Sequence, residues 1–288
     1  MREKEYVNCN ICKKSNYVNI VQIDSCNIVQ CRECGLFYLN PKLKIDNAAE
    51  VYSESYYPEH DPLKESKINL KSILVRSYLA RINRIKLSYV TRYAKSGKLL
   101  DLGCGAGEFL HVAHTNGWDT YGVDVSMYAS ERARARGLNV IPGTMKDAKF
   151  ANSFFDVVTL FDVFSHLSDP LGEFVQISTA LKDDGTFIFA TGDYSLLPDY
   201  LYVTRWGPVE EHYWKLNDSS MDLLLKKSGF CVIERRVNPY GVLTASPKEL
   251  FERGVPKRII DALLFGFTSM ISDEILVVCK KEGFTKRR

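Results

Sequence analysis

The sequence lacks any apolar run long enough to cross a membrane. No stretch of its 288 residues reaches the roughly 18 apolar residues that a spanning helix needs. Residues 1–5 are almost all charged, so the apolar core of a secretory signal is missing there as well. These absences argue against a membrane protein, and we expect a cytoplasmic location.

A strong net charge, internal repeats and low-complexity segments are also lacking. With 38 basic and 35 acidic residues the formal net charge is only +3, which is too small to indicate a nucleic-acid partner by itself. The hydrophobic fraction of 45% and the charged fraction of 25% are ordinary for a globular protein. A chain of this length can bury one sizeable α/β core and carry a small additional module.

Two common nucleotide-binding signatures are incomplete in the glycine-rich stretch at residues 98–110, KLLDLGCGAGEFL, which predicts a buried strand, a tight loop and a helix start. A dinucleotide fold requires a third glycine where Glu108 stands, and a Walker A loop requires a following Gly-Lys-Ser/Thr. Glycine at alternate positions instead lets a ligand approach bare backbone beside the N–H groups of a helix N-terminus. Because Asp101 precedes this loop, it suits a cofactor that carries an ammonium group. A glycine-rich turn without a ligand is the alternative.

Four of the eight cysteines form two C-x-x-C pairs, Cys9 with Cys12 and Cys31 with Cys34. Each short turn can direct two thiolates at one ion, so this spacing predicts a tetrahedral, structural Zn²⁺ site without an open coordination position. Cys26 lies outside both pairs and is interpreted as a core or surface thiol. Four unrelated buried cysteines are the alternative interpretation.

Beyond the glycine loop, strand and helix signals alternate, which predicts a parallel sheet covered by helices on both faces. The predicted strand at residues 119–124 ends on Asp124. This residue lies 17 positions after Gly107, near the spacing typical of an acid that binds both ribose hydroxyls. Residues 155–160 are almost purely apolar and predict a strand buried on both faces.

The stretch at residues 98–110 resembles motif I of the class I S-adenosylmethionine (SAM) methyltransferases. With CxxCGLxYLNP at residues 31–41 and a tyrosine-rich segment at residues 52–57, the chain resembles bacterial methyltransferases with an N-terminal zinc ribbon, some of which are sugar C-methyltransferases. This resemblance implies an α/β fold with a Rossmann-like, seven-stranded, mostly parallel sheet whose last strand inserts antiparallel. It divides the chain into a zinc ribbon (1–45), a linker and helical lead-in (46–95) and a SAM-binding methyltransferase domain (96–288).

The resemblance also implies which residues hold SAM. The loop and its preceding acid hold the methionyl part, and the loop at residues 143–149 lies beside the adenine. Many relatives place an aspartate directly after the glycine of that second loop, whereas this chain has Thr144, which leaves Met145 and Asp147 as candidates. The implied cofactor residues are Asp101, Gly103, Cys104, Gly105, Gly107, Asp124, Val125, Met145 and Phe161.

Three residues are candidates for the chemistry itself. His166 follows the strand at residues 155–160 and could act as a general base, because imidazole titrates near neutral pH; bracing its own loop is the alternative. His212 is a second base candidate, although a histidine in a surface loop is often only solvated. Tyr194 follows the fifth predicted strand on the expected acceptor side. From the resemblance, Tyr56 and Tyr57 could contact the acceptor or simply pack the linker onto the core.

The expected function is SAM-dependent methyl transfer to a small-molecule or sugar-type acceptor, in cell-surface glycan or secondary-metabolite biosynthesis. A basic face on the helix predicted at residues 64–94, including Arg81 and Arg84, is interpreted as a solvated surface. It keeps an RNA methyltransferase, using the zinc ribbon and this helix, as one alternative. A non-catalytic SAM- or zinc-binding interaction module is the other.

Overall fold

The computed structural model describes residues 3–23, 25–44, 51–52, 70–196, 206, 211–237 and 274–283. In these residues a small N-terminal part built of short strands precedes a larger α/β part. The N-terminal strands are β1 (Lys4–Glu5), β2 (Tyr17–Ile23), β3 (Cys26–Cys31), β4 (Phe37–Leu39) and β5 (Lys42–Leu43). The β1 and β5 strands pair with each other, whereas β2, β3 and β4 form an antiparallel sheet.

The larger part is organised around a seven-stranded sheet. Its strands are β6 (Lys98–Leu102), β7 (Asp119–Asp124), β8 (Asn139–Pro142), β9 (Phe155–Phe161), β10 (Leu181–Gly192), β12 (Phe230–Val237) and β13 (Glu274–Lys281), and β11 is the separate strand Trp214–Lys215. The spatial order is β12-β13-β10-β9-β6-β7-β8, with β13 antiparallel to both of its neighbours. The predicted mostly parallel sheet with an antiparallel last strand is therefore confirmed.

Helices cover both faces of this sheet. They are α1 (Leu70–Tyr93), α2 (Glu108–Thr115), α3 (Met127–Ala135), α4 (Met145–Ala148), α5 (Pro170–Ala180) and α6 (Asp218–Lys227). Successive side chains of a strand point to opposite faces, so neighbouring residues enter different apolar layers. Leu99 and Val157 pack in the layer beneath α1 and α2, while Leu100 and Val158 pack in the layer beneath α5 and α6.

Two helix starts follow from the local sequence. The Ser126 hydroxyl accepts a hydrogen bond from the backbone N–H of Ala129 at the start of α3. The Asn217 side chain accepts one from Ser220 at the start of α6. Such caps satisfy N–H groups that have no partner within the helix, and they set the positions at which the chain leaves the sheet.

The N-terminal part and the larger part share a sheet. The β11 strand pairs antiparallel with β4, with Trp214 opposite Tyr38 and Lys215 opposite Phe37. The order of this four-stranded sheet is β11-β4-β3-β2, so a strand from beyond β10 closes the sheet that the N-terminal residues begin. The two parts consequently form one continuous structure.

Some expectations differ from the structure or lie outside the part it describes. The β10 strand, which begins at Leu181, has an irregularity between Leu181 and Thr186, where the register to β9 shifts. Outside the described residues lie Tyr56, Tyr57 and the first part, residues 64–69, of the helix predicted at residues 64–94. Among the described helices, none has the length and apolarity required to cross a membrane.

Candidate functional site

The glycine loop adopts a backbone conformation that would be strained for any other residue type. Gly103, Gly105 and Gly107 have φ angles of +67°, +54° and +82°, all in the left-handed region. A side chain at Gly103 would also collide with Val163, and one at Gly107 would meet Leu138. The loop thus needs glycine for both its conformation and its packing between β6 and α2.

A cavity of about 190 Å³ opens beside this loop. It lies at the carboxyl ends of β6, β7, β8 and β9, which is where open α/β sheets bind ligands. The lining residues come from the ends of these strands, the 3-10 turn at Phe164–His166, α5 and the segment before α1. They are Tyr52, Leu102, Gly103, Val123, Asp124, Val125, Gly143, Thr144, Met145, Val163, His166, Leu167, Ser168 and Glu173.

Asp124 joins the cavity to the glycine loop. One carboxylate oxygen accepts a hydrogen bond from the Gly105 N–H at 2.8 Å, and the other accepts one from the Ser126 N–H at 2.9 Å. The side chain is only 6% exposed, yet it lines the cavity next to Val125. Both backbone donors fix the orientation of the carboxylate that would meet a ribose.

Asp101 lies deeper than the cavity lining. It is 5% exposed, and its Oδ1 accepts a hydrogen bond of 2.7 Å from the Thr159 hydroxyl. Burial raises the pKa of Asp101 to about 7, although the Thr159 hydrogen bond and the charge of Lys86 oppose that increase. A cation brought to this carboxyl would favour its ionised form.

Two further cofactor candidates, Cys104 and Phe161, direct their side chains into the core. Cys104 packs beneath Gly122, and burial raises the pKa of its thiol well above the usual value. Phe161 packs edge-on against Phe109 at a centroid distance of 5.0 Å, in the layer beneath α1 and α2. Neither side chain lines the cavity, so any cofactor contact of Cys104 would come from its backbone.

The segment after β8 contributes Met145 but not Asp147. Met145 is buried and lines the cavity. The Asp147 carboxylate instead accepts hydrogen bonds from the N–H and the hydroxyl of Thr144, at 2.8 and 2.7 Å, as a cap at the start of α4. These hydrogen bonds lower the pKa of Asp147. Its carboxylate therefore stabilises the first turn of α4 instead of facing the cavity.

His166 lies at the cavity and belongs to a cluster of polar side chains. Its Nδ1 is 2.7 Å from the Tyr52 hydroxyl, and its ring lies 4.4 Å from that of His212, centroid to centroid. Ligand-type atoms of His166, Glu211 and His212 all lie within 4.8 Å of one another. Tyr52 was not among the sequence candidates, since the tyrosine-rich segment in which it lies drew attention only to Tyr56 and Tyr57.

Burial makes His166 a weak base. Burial and, to a smaller extent, the positive charge of Lys215 together lower the pKa of His166 to about 4, against the opposing effect of a hydrogen bond with the Glu211 backbone. A neutral imidazole accepts a hydrogen bond at one ring nitrogen and donates from the other. His166 is therefore suited to orient neighbours such as Tyr52 in its neutral form.

His212 is held near His166 by its flanking residues. The Tyr213 N–H donates to the Ser165 carbonyl at 2.8 Å, and the Trp214 indole N–H donates to the Leu167 carbonyl at 2.7 Å. The indole N–H of Trp206 donates to the carbonyl of His212 itself at 2.9 Å. Three hydrogen bonds thus hold His212 and the two residues that follow it.

Tyr194 lies elsewhere. It is 1% exposed and packs against Phe37 and Trp206, with ring centroids 5.3 and 5.9 Å away. Its backbone N–H donates to Leu216, next to β11. Tyr194 is not among the cavity-lining residues, and its aromatic ring contributes to the apolar contact between the two parts of the chain.

The four cysteines of the two C-x-x-C pairs meet at one point. The Sγ atoms of Cys9 and Cys34, and those of Cys12 and Cys31, are 3.4 Å apart, and all four sulfur atoms lie within 4.8 Å of one another. Tetrahedral Zn²⁺ with Zn–S bonds of about 2.3 Å needs sulfur atoms about 3.8 Å apart, so the donor set fits this ion. Cys26 belongs to a different buried cluster, as expected of a core thiol.

Comparison of the sequence with known protein families identifies the family of this chain. The family described as "Methyltransferase domain" matches residues 75–235, which is more than half of the chain. The chain belongs to this methyltransferase family. The matched range contains the glycine loop, Asp124 and both histidines of the cluster.

Curated relatives of this methyltransferase match over its central part. Ubiquinone biosynthesis O-methyltransferase of Vibrio parahaemolyticus is 30% identical over 123 residues, covering 39% of this chain and 52% of the relative. The corresponding protein of Methylococcus capsulatus is 28% identical over 127 residues, covering 41% and 54%. The chain thus spans about half the length of the curated relatives that it matches.

Solved structures match the methyltransferase fold more completely. A SAM-dependent methyltransferase from Archaeoglobus fulgidus aligns with a TM-score of 0.52 at 15% identity, over 74% of this chain and all of the other. Geranyl diphosphate C-methyltransferase from Streptomyces coelicolor aligns with a TM-score of 0.55 at 14% identity, over 77% and 89%. At such identities the likeness establishes the Rossmann-like fold alone.

Proposed function

We propose that the protein is an enzyme that transfers the methyl group of SAM to a small-molecule or sugar-type acceptor. One observation carries this proposal: the glycine loop and Asp124 border the same cavity as Tyr52 and His166. A cofactor on the loop and an acceptor beside His166 would therefore share one cavity. The names of the relatives, one an O-methyltransferase and one a C-methyltransferase, support a small molecule as the acceptor.

The cofactor would lie along the ends of β6, β7 and β8. Asp124 would accept hydrogen bonds from the ribose hydroxyls, with Val125 and Met145 beside the adenine and Gly103 beside the methionyl chain. Asp101 would face the ammonium group from beneath the loop. SAM supplies an electrophilic methyl group on a sulfonium, so the protein mainly has to hold the acceptor atom in line with it.

His212 is proposed to remove the proton that the acceptor loses when its new bond to the methyl group forms. A base works best when its pKa lies near the operating pH. The pKa of His166, about 4, is too low for that role, which leaves His166 to orient Tyr52 and support the neighbouring ring. The proton then passes to solvent, and S-adenosylhomocysteine is the second product.

The four cysteines are proposed to hold one structural Zn²⁺. Four sulfur ligands leave no coordination position for a substrate. Asn10, between Cys9 and Cys12, hydrogen-bonds Asp169 and the Leu171 N–H at the start of α5, at 2.8 and 3.0 Å. The ion would thereby support a loop that packs against the methyltransferase domain.

The ion pairs of α1 argue against the RNA alternative. Lys86 pairs with Asp162 at 3.4 Å, and Arg92 pairs with Glu234 at 3.0 Å, so part of the basic face is neutralised within the protein. Arg76, Arg81 and Arg84 remain exposed on that helix.

Incubation with methyl-labelled SAM and separated cell-extract fractions tests the proposal. We expect label in the small-molecule or glycan-precursor fraction, and loss of that label with His212→Ala but not with exposed His111→Ala. Label confined to RNA, abolished by charge reversal at Arg81 and Arg84, would establish the RNA alternative instead. Tight S-adenosylhomocysteine binding without label in any fraction would indicate a non-catalytic binding module.

A further inference from the structure

Two groups of side chains within the described residues could hold a metal ion. One is the set of four cysteines, and the other consists of His166, Glu211 and His212, whose ligand-type atoms all lie within 4.8 Å of one another. Two imidazoles and one carboxylate form a donor set that suits divalent transition metals. The second group adjoins the cofactor cavity, because His166 lines that cavity.

The arrangement of the two imidazole rings fits a shared ion. Two imidazoles bound to one ion at a right angle, with metal–nitrogen bonds of about 2.1 Å, have ring centroids about 4.5 Å apart. The centroids of His166 and His212 are 4.4 Å apart, and their ring planes are tilted by 53°. Ligand atoms around such an ion lie about 3 to 4.2 Å apart, so small side-chain rotations bring all three donors into range.

Hydrogen bonds already orient His166 as a metal ligand requires. A ligating imidazole binds the ion through one ring nitrogen, and the other nitrogen commonly donates to a nearby oxygen atom. His166 hydrogen-bonds the Glu211 backbone, and its Nδ1 is 2.7 Å from the Tyr52 hydroxyl. An ion at one ring nitrogen would displace one of these partners, while the other would keep the ring in place.

The exposure and charge of this group allow a cation to enter. His166, Glu211 and His212 are all half-buried, so an ion can reach them from solution. The charges of Lys215 and Asp162 act on His166 in opposite directions, and the Glu211 carboxylate adds a negative charge. Because two of the three donors are nitrogen atoms, Co²⁺ and Ni²⁺ suit the group better than Mg²⁺ or Ca²⁺, which prefer oxygen ligands.

We propose that His166, Glu211 and His212 form a second metal site, which binds one divalent transition-metal ion and thereby blocks methyl transfer. The site itself does not depend on SAM. The block rests on the proposed function, because coordination occupies the nitrogen lone pair with which His212 would take the proton of the acceptor. No spacing in the sequence signals this site, since the turn after β9 and the segment before β11 meet only in the folded chain.

Calorimetric titration with Ni²⁺ tests the metal site. Protein without a polyhistidine tag is loaded with zinc, dialysed against metal-free buffer and titrated, and elemental analysis afterwards verifies that the cysteines retain their zinc. The wild type is compared with His166→Ala, with His212→Ala and with His111→Ala, a matched change on the exposed face of α2. Circular dichroism verifies that each variant is folded.

The wild type and His111→Ala should bind one Ni²⁺ per chain beyond the zinc. His166→Ala and His212→Ala should each bind it roughly tenfold or more weakly, because one ligand is lost. With Co²⁺ in place of Ni²⁺, proton NMR of the wild type should show hyperfine-shifted signals from two imidazole rings. No binding beyond the zinc, or unchanged affinity in a folded His212→Ala, would overturn the site.

The effect on methyl transfer is measured separately, with labelled SAM and the extract fraction that accepts the label. Saturating Ni²⁺ should lower the rate of labelling by about 10²-fold or more, as expected when a general base is lost, and its removal by dialysis should restore the rate. Undiminished labelling at saturating Ni²⁺ would overturn the block. Stoichiometric Ni²⁺ binding by a protein that labels no fraction would support the metal site and contradict the proposed function instead.

Discussion

The imidazole rings of His166 and His212 lie 4.4 Å apart, centroid to centroid, although one follows β9 and the other precedes β11. The contact depends on backbone hydrogen bonds from Tyr213 to Ser165 and on the Trp214 indole bond to Leu167. Trp214 is also part of β11, which pairs with β4. The N-terminal strands therefore contribute to holding the proposed base beside His166, which lines the cavity.

Replacing the proposed base should reduce turnover without affecting cofactor affinity. His212→Ala is expected to lower kcat by about 10²- to 10⁴-fold, the usual contribution of general acid–base catalysis. The dissociation constant for S-adenosylhomocysteine should change little, since the glycine loop and Asp124 are untouched. Initial rates with labelled SAM and calorimetry measure the two effects, and His111→Ala on the exposed face of α2 is the control. A full-rate His212→Ala enzyme would exclude this residue as the base.

Asp124→Ala should weaken cofactor binding strongly. The substitution removes the proposed ribose acceptor and also the hydrogen bonds from the Gly105 and Ser126 N–H groups. We expect at least a roughly tenfold weaker affinity for S-adenosylhomocysteine, together with a protein that remains folded by circular dichroism. Asp119→Ala, at the exposed start of the same strand, should bind normally. Unchanged affinity in the Asp124 variant would contradict the ribose assignment.

The raised pKa of Asp101 predicts a pH dependence of cofactor affinity. With its pKa at about 7, Asp101 is mostly protonated below neutral pH and cannot attract the ammonium group of the ligand. Affinity for S-adenosylhomocysteine should rise roughly tenfold from pH 6 to pH 8, as the ionised fraction of this group increases. Asp101→Asn should bind weakly and show a flat profile over this range. An equally steep profile in that variant would assign the dependence to another group.

The same group has the opposite effect on the stability of the ligand-free protein. Because the folded pKa of Asp101 lies above the unfolded value of about 3.9, folded protein binds more protons than unfolded protein between these two pH values. The free energy of unfolding should therefore decrease as the pH rises from about 4 to about 7 and then level off. Asp101→Asn should show a smaller decrease, measured by denaturant titration at each pH.

Removing one thiolate should release the proposed zinc and loosen the site near β11. Cys31→Ser is expected to lower the metal content from about one ion per chain to near zero and to lower the melting temperature, because zinc binding contributes to folding. Methyl transfer should fall as well, since Cys31 ends β3, which pairs with β4. Cys231→Ser, at an exposed cysteine outside the cluster, should leave all three quantities unchanged. Wild-type protein purified without metal but with a native fold would refute the zinc site.

Local sequence was sufficient to predict the glycine loop, the Asp124 position and the two C-x-x-C pairs. Each of these depends on residues close together in the chain, where backbone conformation and ligand spacing leave a recognisable pattern. The caps at Ser126 and Asn217 were predictable for the same reason. The sheet topology, with β13 between β10 and β12, was implied by the family resemblance and agrees with the structure.

The cavity wall was much less predictable, because it depends on contacts between distant segments. The bond between Tyr52 and His166 joins a segment before α1 to the turn after β9, and no periodicity signals it. Tyr194 had a position consistent with the acceptor side, but its apolar ring was buried against Trp206 instead. The two residues of β11 are too few for a strand pattern, so its pairing with β4 was not predicted.

That pairing also constrains the order of events during synthesis. Residues 37–39 emerge from the ribosome early, but their edge-strand partner, residues 214–215, follows only after most of the α/β domain has been translated. Closing so long a loop is entropically unfavourable and slow, and an unpaired strand edge invites association with other chains until it is covered. In a nascent chain the edge of β4 therefore stays uncovered until the synthesis of the same short segment that places His212 beside His166.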